Sequence, residues 1–216
     1  MKGKKSFFAF GLLSIFIFFG LGTWQVYRKG EKEALLKNLE MAQKALPENL
    51  DSVKAAKALQ PIFAQGHFLA EKTIFLKAKI HQGKSGVYVL NVFQTQGGKY
   101  LLVQRGWASD EITTLPQGDL KVEGVLRAPA PPNYFQPLNN PPTYFWIDMP
   151  LLSETLNVPL LPYYLVATSS DDAEIFPLKA FPSLTNNHLQ YALTWYFLAF
   201  ALGIMLLWHK YFYLKR

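Results

Sequence analysis

Residues 7–26 read FFAFGLLSIFIFFGLGTWQV and residues 189–208 read LQYALTWYFLAFALGIMLLW, and neither run contains a charged side chain. About twenty residues, at a helical rise of about 1.5 Å each, cross a hydrocarbon layer of roughly 30 Å. A helix that is apolar on every face needs lipid or a large protein core around it. Trp24, Trp195 and Trp208 lie in these runs, and tryptophan favours the membrane–water interface. The sequence therefore predicts one transmembrane helix at each end of the chain.

The charges predict how these helices cross the membrane. Both short tails are basic and contain no acidic residue; their basic residues are Lys2, Lys4, Lys5, Lys210, Lys215 and Arg216. Short basic ends stay in the cytoplasm, whereas long loops cross largely regardless of charge. We expect a bacterial inner membrane protein with a cytoplasmic tail (1–6), a transmembrane helix (7–27), a periplasmic domain (28–187), a second transmembrane helix (188–208) and a second cytoplasmic tail (209–216). The alternative is a cleaved signal peptide ending at Gly20-Leu21-Gly22.

Composition narrows the possible functions. Six of the 22 basic residues lie in the tails, which leaves 16 against 15 acidic residues in the domain, so the net charge of +7 does not predict a nucleic-acid partner. Cysteine is absent from the sequence, which excludes disulfides and thiolate metal sites. Gly83-Lys84-Ser85 ends like a phosphate-binding loop, but Ala78 stands where that motif needs glycine. His67 and His81 have no second ligand at metal-binding spacing. We expect a protein that is not an enzyme.

The segment between the spans predicts a mainly-β domain with peripheral helices. Together with the two spans, it predicts an α+β membrane protein. Short runs of β-branched and aromatic residues predict strands at 74–76, 87–93, 100–103, 121–126, 144–147 and 163–167. Helices are predicted over 31–46, 51–59 and 150–156, the second capped by Asp51-Ser52. Gly97-Gly98 predicts a hairpin turn. Six prolines between Pro129 and Pro142 predict an irregular loop.

Several separated motifs resemble the surfeit locus protein 1 family. Residues 21–28, LGTWQVYR, are similar to its Gly-x-Trp-Gln-x-x-Arg signature, and 102–107, LVQRGW, to Val-Asn-Arg-Gly-Trp, with Gln104 in place of asparagine. Residues 124–127 (GVLR) and 146–148 (WID) are similar to weaker landmarks. Residues 186–195, NNHLQYALTW, resemble the most distinctive run of the family.

This resemblance implies a membrane-bound assembly factor for cytochrome c oxidase that is not an enzyme. The implied partners are the catalytic subunit of the oxidase, the haem a synthase and membrane lipid. The implied cofactor is haem a, with the histidine that matches His188 as the iron ligand. We expect the cofactor-binding residues to be His188, Arg28, Trp195 and Ala192. The signature residues expected to be structural are Trp24, Gln25, Arg105, Gly106, Trp107, Gly124 and Asn187.

The spacing around His188 leaves its role open. At 100° per residue, one face within about 80° carries His188, Ala192, Trp195, Ala199 and Gly203. Small residues let a partner approach closely; it could be the first span, a neighbouring protein or a flat macrocycle. Arg28 suits a propionate. In a second interpretation Asn187 and His188 satisfy free N–H groups at the helix start and Arg28 reaches towards the interface.

Two functions follow from these interpretations. One is a haem-binding insertion factor, and the other is a cofactor-free scaffold that holds an oxidase subunit. For the run from Arg105 to Trp107 we expect a strand end, a turn and a buried indole that maintain the domain.

Overall fold

A computed structural model describes residues 2–170, 172–182 and 185–214 of the chain. The described residues form two compact units. The helical unit contains the residues up to Asn38 and those from residue 185 onwards, and the barrel unit contains Leu39 to Pro182. Met1, Lys215 and Arg216, which we assign to the tails, lie outside the described residues.

Three helices are present among the described residues: α1 (Lys2–Lys44), α2 (Met149–Leu156) and α3 (His188–Leu214). α1 and α3 contain the two apolar runs and are long and apolar enough to cross a membrane. The length of these two helices and their apolar composition support a membrane protein. The helix predicted over 31–46 is the continuation of α1, which ends three residues before Pro47. The helix predicted over 150–156 is α2, capped by the Asp148 carboxylate, which accepts a hydrogen bond from Leu151 N.

The barrel unit is built on a sheet whose order is β1-β2-β3-β4-β6-β5. Its strands are β1 (Glu48–Asn49), β2 (Pro61–His81), β3 (Lys84–Thr95), β4 (Tyr100–Ala108), β5 (Leu120–Arg127) and β6 (Leu160–Ala167). The first part of β2 also pairs with β5, so β2, β3, β4, β6 and β5 close into a ring. The pairs are antiparallel except for β1 with β2 and β4 with β6. This closed mixed sheet confirms the predicted mainly-β domain.

The barrel has an inner and an outer apolar layer because side chains alternate along each strand. In β4, Leu101 and Val103 belong to the inner cluster with Phe93 and Leu165. Leu102 faces the other way and packs in the outer cluster with residues of α2 and of the loop before it. The two clusters explain why β4 is buried along almost its whole length.

Two predicted elements are wrong. Residues 51–59 form turns, not a helix, because the Asp51 carboxylate accepts hydrogen bonds from Thr95 Oγ1 at 2.8 Å and Gly97 N at 3.0 Å, across the chain at the β3–β4 hairpin. Residues 144–147 form no strand, since only Tyr144 makes a bridge, to Leu76. The next two backbone N–H groups donate to the side chain of Asn139 instead.

Candidate functional site

His188 and Gln25 form a side-chain pair inside the helical unit. His188 is the first residue of α3, and its Nδ1 lies 2.7 Å from Oε1 of Gln25, near the end of the first apolar run of α1. An amide oxygen can only accept a hydrogen bond, so in this arrangement Nδ1 carries the proton. The lone pair of the ring then lies on Nε2. This is how metal-binding histidines are usually oriented, by an acceptor at the nitrogen that does not bind the metal.

Close contact between α1 and α3 holds this pair in place. A Cβ atom at Gly22 would lie 2.6 Å from the ring of Tyr196, and Thr23 Oγ1 lies 3.2 Å from the Tyr196 hydroxyl. One turn away, the Trp195 ring stacks on Phe18 with their centroids 5.7 Å apart. The first span is therefore a partner of the α3 face on which the sequence places His188.

Ala192 and Arg28, two of the predicted cofactor-binding residues, lie in different surroundings. Ala192 is only 1 % exposed, so its methyl group is covered by protein. Arg28 lies three residues after Gln25 on α1, and its Nη1 is 2.6 Å from Oε2 of Glu31, with about half of its side chain exposed. A guanidinium has five N–H donors, so this ion pair leaves others for a second acid group.

The neighbouring signature residues Trp24 and Asn187 are on the surface of the helical unit. Trp24 is 51 % exposed. Asn187 is exposed, and its carbonyl oxygen accepts a hydrogen bond from Tyr191 N at 3.3 Å. That hydrogen bond belongs to the first turn of α3 and uses the backbone of Asn187, not its side chain.

The run from Arg105 to Trp107 lies in the barrel unit, inside β4, and the predicted turn is wrong. Arg105 is the extra residue of a β-bulge, because Val89 and Leu90 pair with Gly106 and Gln104 respectively. Its buried guanidinium donates to Thr114 O at 2.8 Å. The Trp107 indole is buried as predicted, and its N–H donates to Lys79 O at 3.2 Å.

Two glycines of this region are required by close backbone contacts. A Cβ atom at Gly106 would lie 2.3 Å from Phe176 O, and one at Gly124 would lie 2.2 Å from Val166 O. Carbonyl oxygens of a hydrogen-bonded sheet cannot move aside without breaking the ladder. Arg105, Gly106, Trp107 and Gly124 therefore all make close contacts inside the barrel unit.

Asp172 completes the surroundings of Arg105. Its carboxylate accepts hydrogen bonds from Glu174 N at 2.9 Å and from Thr114 Oγ1 at 2.8 Å, and it lies 4.0 Å from Nη2 of Arg105. The hydrogen bond from Glu174 N, the one from Thr114 and the nearby Arg105 charge all lower the pKa of Asp172. Sequence reasoning missed this carboxylate, because Arg105 and Asp172 are far apart in the chain and no local pattern joins them.

No group of three or more His, Asp or Glu side chains within residues 2–170, 172–182 and 185–214 is arranged to hold a metal ion. His188 with Gln25 is therefore a one-histidine site among the described residues. A single histidine could bind the iron of a macrocycle, because such a group brings its other ligands with it.

These features define a class of protein: a closed β-barrel domain that lies in sequence between two candidate membrane-spanning helices. A family model, the SURF1 family, matches residues 12–200. The chain belongs to the SURF1 family, known in general as cytochrome oxidase assembly factors.

Curated relatives agree with this family. A SURF1-like protein of Rickettsia felis is 29 % identical over 208 residues, which cover 90 % of this chain and 92 % of the relative. A SURF1-like protein of Monosiga brevicollis is 29 % identical over 216 residues, covering 86 % and 80 %. Surfeit locus protein 1 of Rattus norvegicus is 28 % identical over 221 residues, covering 90 % and 72 %. The similarity thus extends over most of this chain.

Proposed function

We propose that this protein is an assembly factor for haem–copper cytochrome c oxidase and not an enzyme. Its proposed partners are the catalytic subunit of the oxidase and the haem a synthase. The match of the family model to residues 12–200 carries this proposal, because it includes the whole barrel and part of each candidate span. The proposed location is a bacterial inner membrane, with both termini in the cytoplasm and the barrel in the periplasm; the basic tails support that orientation.

We propose further that haem a is the cargo and that Nε2 of His188 binds its iron. The 2.7 Å contact between Nδ1 and Gln25 supports this, because it fixes the ring and places the lone pair on Nε2. Arg28 has N–H groups left beside its contact with Glu31 for a propionate. The half-buried Trp195 offers a flat wall near the same end of α3. Ala192 is covered, so its contribution is the close packing of α3.

A cofactor-free scaffold is the second candidate function. The small residues of the helical unit support it, since Gly22 lies directly under the Tyr196 ring and Ala192 is buried. In this alternative, the Gln25–His188 contact only joins the two helices. The two functions differ in whether the purified protein carries pigment.

The first experiment is an absorption spectrum of the protein purified from a host that makes haem a. We expect a haem a spectrum for the native protein and none for His188→Ala, at equal abundance in the membrane. The reason is that an imidazole–iron bond needs that side chain. His67→Ala is the control, since His67 is a half-exposed barrel residue beside Asp119. A colourless native protein, or full colour in His188→Ala, would remove the iron-ligand assignment and leave the scaffold.

Gln25→Leu tests how the histidine is oriented. We expect it to retain less haem than the native protein but more than His188→Ala, because the ligand remains while its orienting contact is lost. A matched control is Thr23→Val, which removes another polar contact between the same helices. Equal retention in Gln25→Leu and the native protein would mean that the contact does not orient the ligand.

Deletion of the gene tests the role in assembly, whichever candidate holds. We expect lower oxidase activity and a lower haem a content of the catalytic subunit, while haem a synthesis continues. The measurement is the haem a content of the purified oxidase together with total haem a of the membranes. Normal oxidase activity in a deletion strain without another family member would contradict an assembly role.

A further inference from the structure

A large cavity lies on the outside of the barrel, and its lining includes none of the residues that sequence reasoning selected for cofactor binding. Its volume is about 900 Å³, within the range of sites for small organic ligands. One wall comes from the proline-rich loop and the residues that follow it, including Gln136 and residues 145–147. Another wall comes from residues 176–182, which precede α3 in sequence. All of these residues belong to the barrel unit.

The floor of the cavity is the outer surface of the closed sheet. Leu76 and Tyr88 are a cross-strand pair of β2 and β3, and Gln104 of β4 is opposite Val166 of β6. Gln104 points outwards because Leu101 and Val103 fill the barrel interior and side chains alternate along the strand. In this floor β3, β4 and β6 are paired with strands on both sides, and β2 at Leu76 is paired with β3 and bridged to Tyr144.

The charges around this cavity are of one sign. Its basic residues are Lys79, His81, Arg127 and Lys179, and the described residues that line it include no aspartate or glutamate. The barrel unit has carboxylates elsewhere; Glu111, for example, is paired with Lys77. Basic groups that converge on a concave surface without acidic neighbours raise the local concentration of anions.

Two of these cations are held in position by the walls. Lys79 Nζ donates to Phe145 O at 2.7 Å, which ties it to the first wall. Arg127 Nε donates to Ala180 O at 3.1 Å, which ties it to the second. A carbonyl orients a cation but does not neutralise it. Both groups keep further N–H donors, two on the ammonium and the terminal pairs on the guanidinium.

The pKa values of two lining residues are shifted by the same surroundings. Burial lowers the pKa of Lys79, because its ammonium is partly removed from water without a carboxylate nearby. Burial raises the pKa of Tyr164, which outweighs the opposite effect of the Arg127 charge. Tyr164 pairs with Arg127 across β6 and β5, so a neutral phenol donor lies beside the guanidinium.

Two further polar groups of the lining make no hydrogen bond to the described residues. The Gln104 carboxamide is one of them, and it remains accessible to water on the floor of the cavity. The indole N–H of Trp146 is the other, and it is buried. Buried polar groups are usually satisfied. The accessible carboxamide beside unneutralised cations is a group with which a ligand in the cavity can pair.

We infer that this cavity is a binding site for an amphipathic organic anion, a carboxylate or phosphate on an apolar body. The acid group lies between Lys79 and Arg127. The apolar body lies against the aromatic walls, where Phe145, Phe176 and Phe181 contribute ring faces. This site is independent of His188, which belongs to the helical unit.

The test uses the full-length protein in nanodiscs of zwitterionic lipid and two probes that differ only in the acid group. 1-Pyrenebutyrate carries a carboxylate, and 1-pyrenebutanol carries a hydroxyl in its place. Binding is followed by energy transfer to pyrene from the tryptophans, of which Trp146 lines the cavity. We expect saturable binding of pyrenebutyrate at least about tenfold tighter than that of pyrenebutanol, as for hydrogen bonds to a charged group.

Substitutions of lining residues test whether pyrenebutyrate binds in this cavity. Arg127→Gln and Lys179→Gln should each weaken pyrenebutyrate binding severalfold and leave pyrenebutanol unchanged. Gln104→Leu should weaken it while keeping a side chain of similar volume on the floor. Lys57→Gln is the matched control, because Lys57 is exposed and does not line the cavity. Circular dichroism of each variant reports folding, and Lys179→Gln changes an exposed residue, so at least one variant remains folded.

Two competitors then distinguish the sources of such an anion. Displacement of pyrenebutyrate by decanoate assigns the apolar body to an acyl chain, and displacement by deuteroporphyrin assigns it to a flat ring; either result supports the site. The inference is overturned if the two pyrene probes bind equally. It is also overturned if Arg127→Gln and Lys179→Gln bind pyrenebutyrate as the native protein does.

Discussion

The helical unit and the barrel both depend on glycines that let chain segments approach, but the atoms above those glycines differ. In the helical unit, Gly22 lies under the ring of Tyr196 and Gly11 under the side chain of Leu206. In the barrel, Gly106 and Gly124 lie under backbone carbonyl oxygens of neighbouring segments. A side chain can change rotamer, whereas a ladder carbonyl moves only if strand pairing is lost. The helix pair should therefore tolerate change where the barrel does not.

Gly124→Ala should have the largest effect, because the new Cβ would lie 2.2 Å from Val166 O. We expect a loss of stability of about 3 kcal/mol or failure to fold. Gly118→Ala is the control: no atom lies within 4 Å of its Cβ, although its φ of +79° should cost about 1 kcal/mol. The measurement is the denaturation midpoint of the purified protein. Equal midpoints for the two variants would show that the backbone at this contact can move aside without loss of stability.

Gly22→Leu should have a smaller effect, because Tyr196 can rotate away. A Cys pair at positions 25 and 188 reports the helix contact by reaction with a short bifunctional thiol crosslinker, and the native chain has no cysteine that would compete. We expect Gly22→Leu to lower the crosslinking yield without unfolding the barrel. Gly20→Leu, two residues away with nothing within 4 Å of its Cβ, should leave the yield unchanged. If both variants crosslink like the parent, close approach at Gly22 is not what holds α1 and α3 together.

Asp172→Asn should have the smallest effect, and only in acid. The folded-state pKa of Asp172 is lowered below its ordinary 3.8, first by the hydrogen bond from Glu174 N. Its contribution to stability is therefore complete above pH 3.8 and is lost as the pH falls through the lower folded-state value. As the pH falls through this range, the native protein should lose stability more steeply than the Asp172→Asn variant. Denaturation midpoints measured from pH 5 to pH 2 test this, and parallel curves would contradict it.

Much of this division into two units was predictable from sequence, because the decisive signals are local. Uncharged runs of twenty residues predict α1 and α3, and the Gly97-Gly98 pair predicts the turn between β3 and β4. The strand predicted over 163–167 is β6, whose last three residues are all buried. The contact between Gln25 and His188 was not predicted, because it depends on how two distant helices pack.

Two of the wrong predictions arise from contacts with other segments of the chain. Asp51 is a good helix cap in isolation, but its carboxylate is used by the β3–β4 hairpin. Arg105 reads as a strand end, yet it is a bulge inside β4 whose side chain is buried. The basic cavity was missed for a similar reason: Lys79, Arg127 and Lys179 are far apart in the chain and meet only when the ring closes.

The position of β6 also sets the order in which the barrel can be completed. β6 is the last strand in the chain, yet it lies between β4 and β5 and is paired with both. Until β6 is added, β4 and β5 each present an unpaired edge, and such edges invite pairing with other chains. Chains are made from the N-terminus, so the barrel stays open until residue 167 is available. The strands most exposed to misassembly during synthesis are therefore β4 and β5. A chain truncated before Leu160 should aggregate instead of forming a smaller barrel.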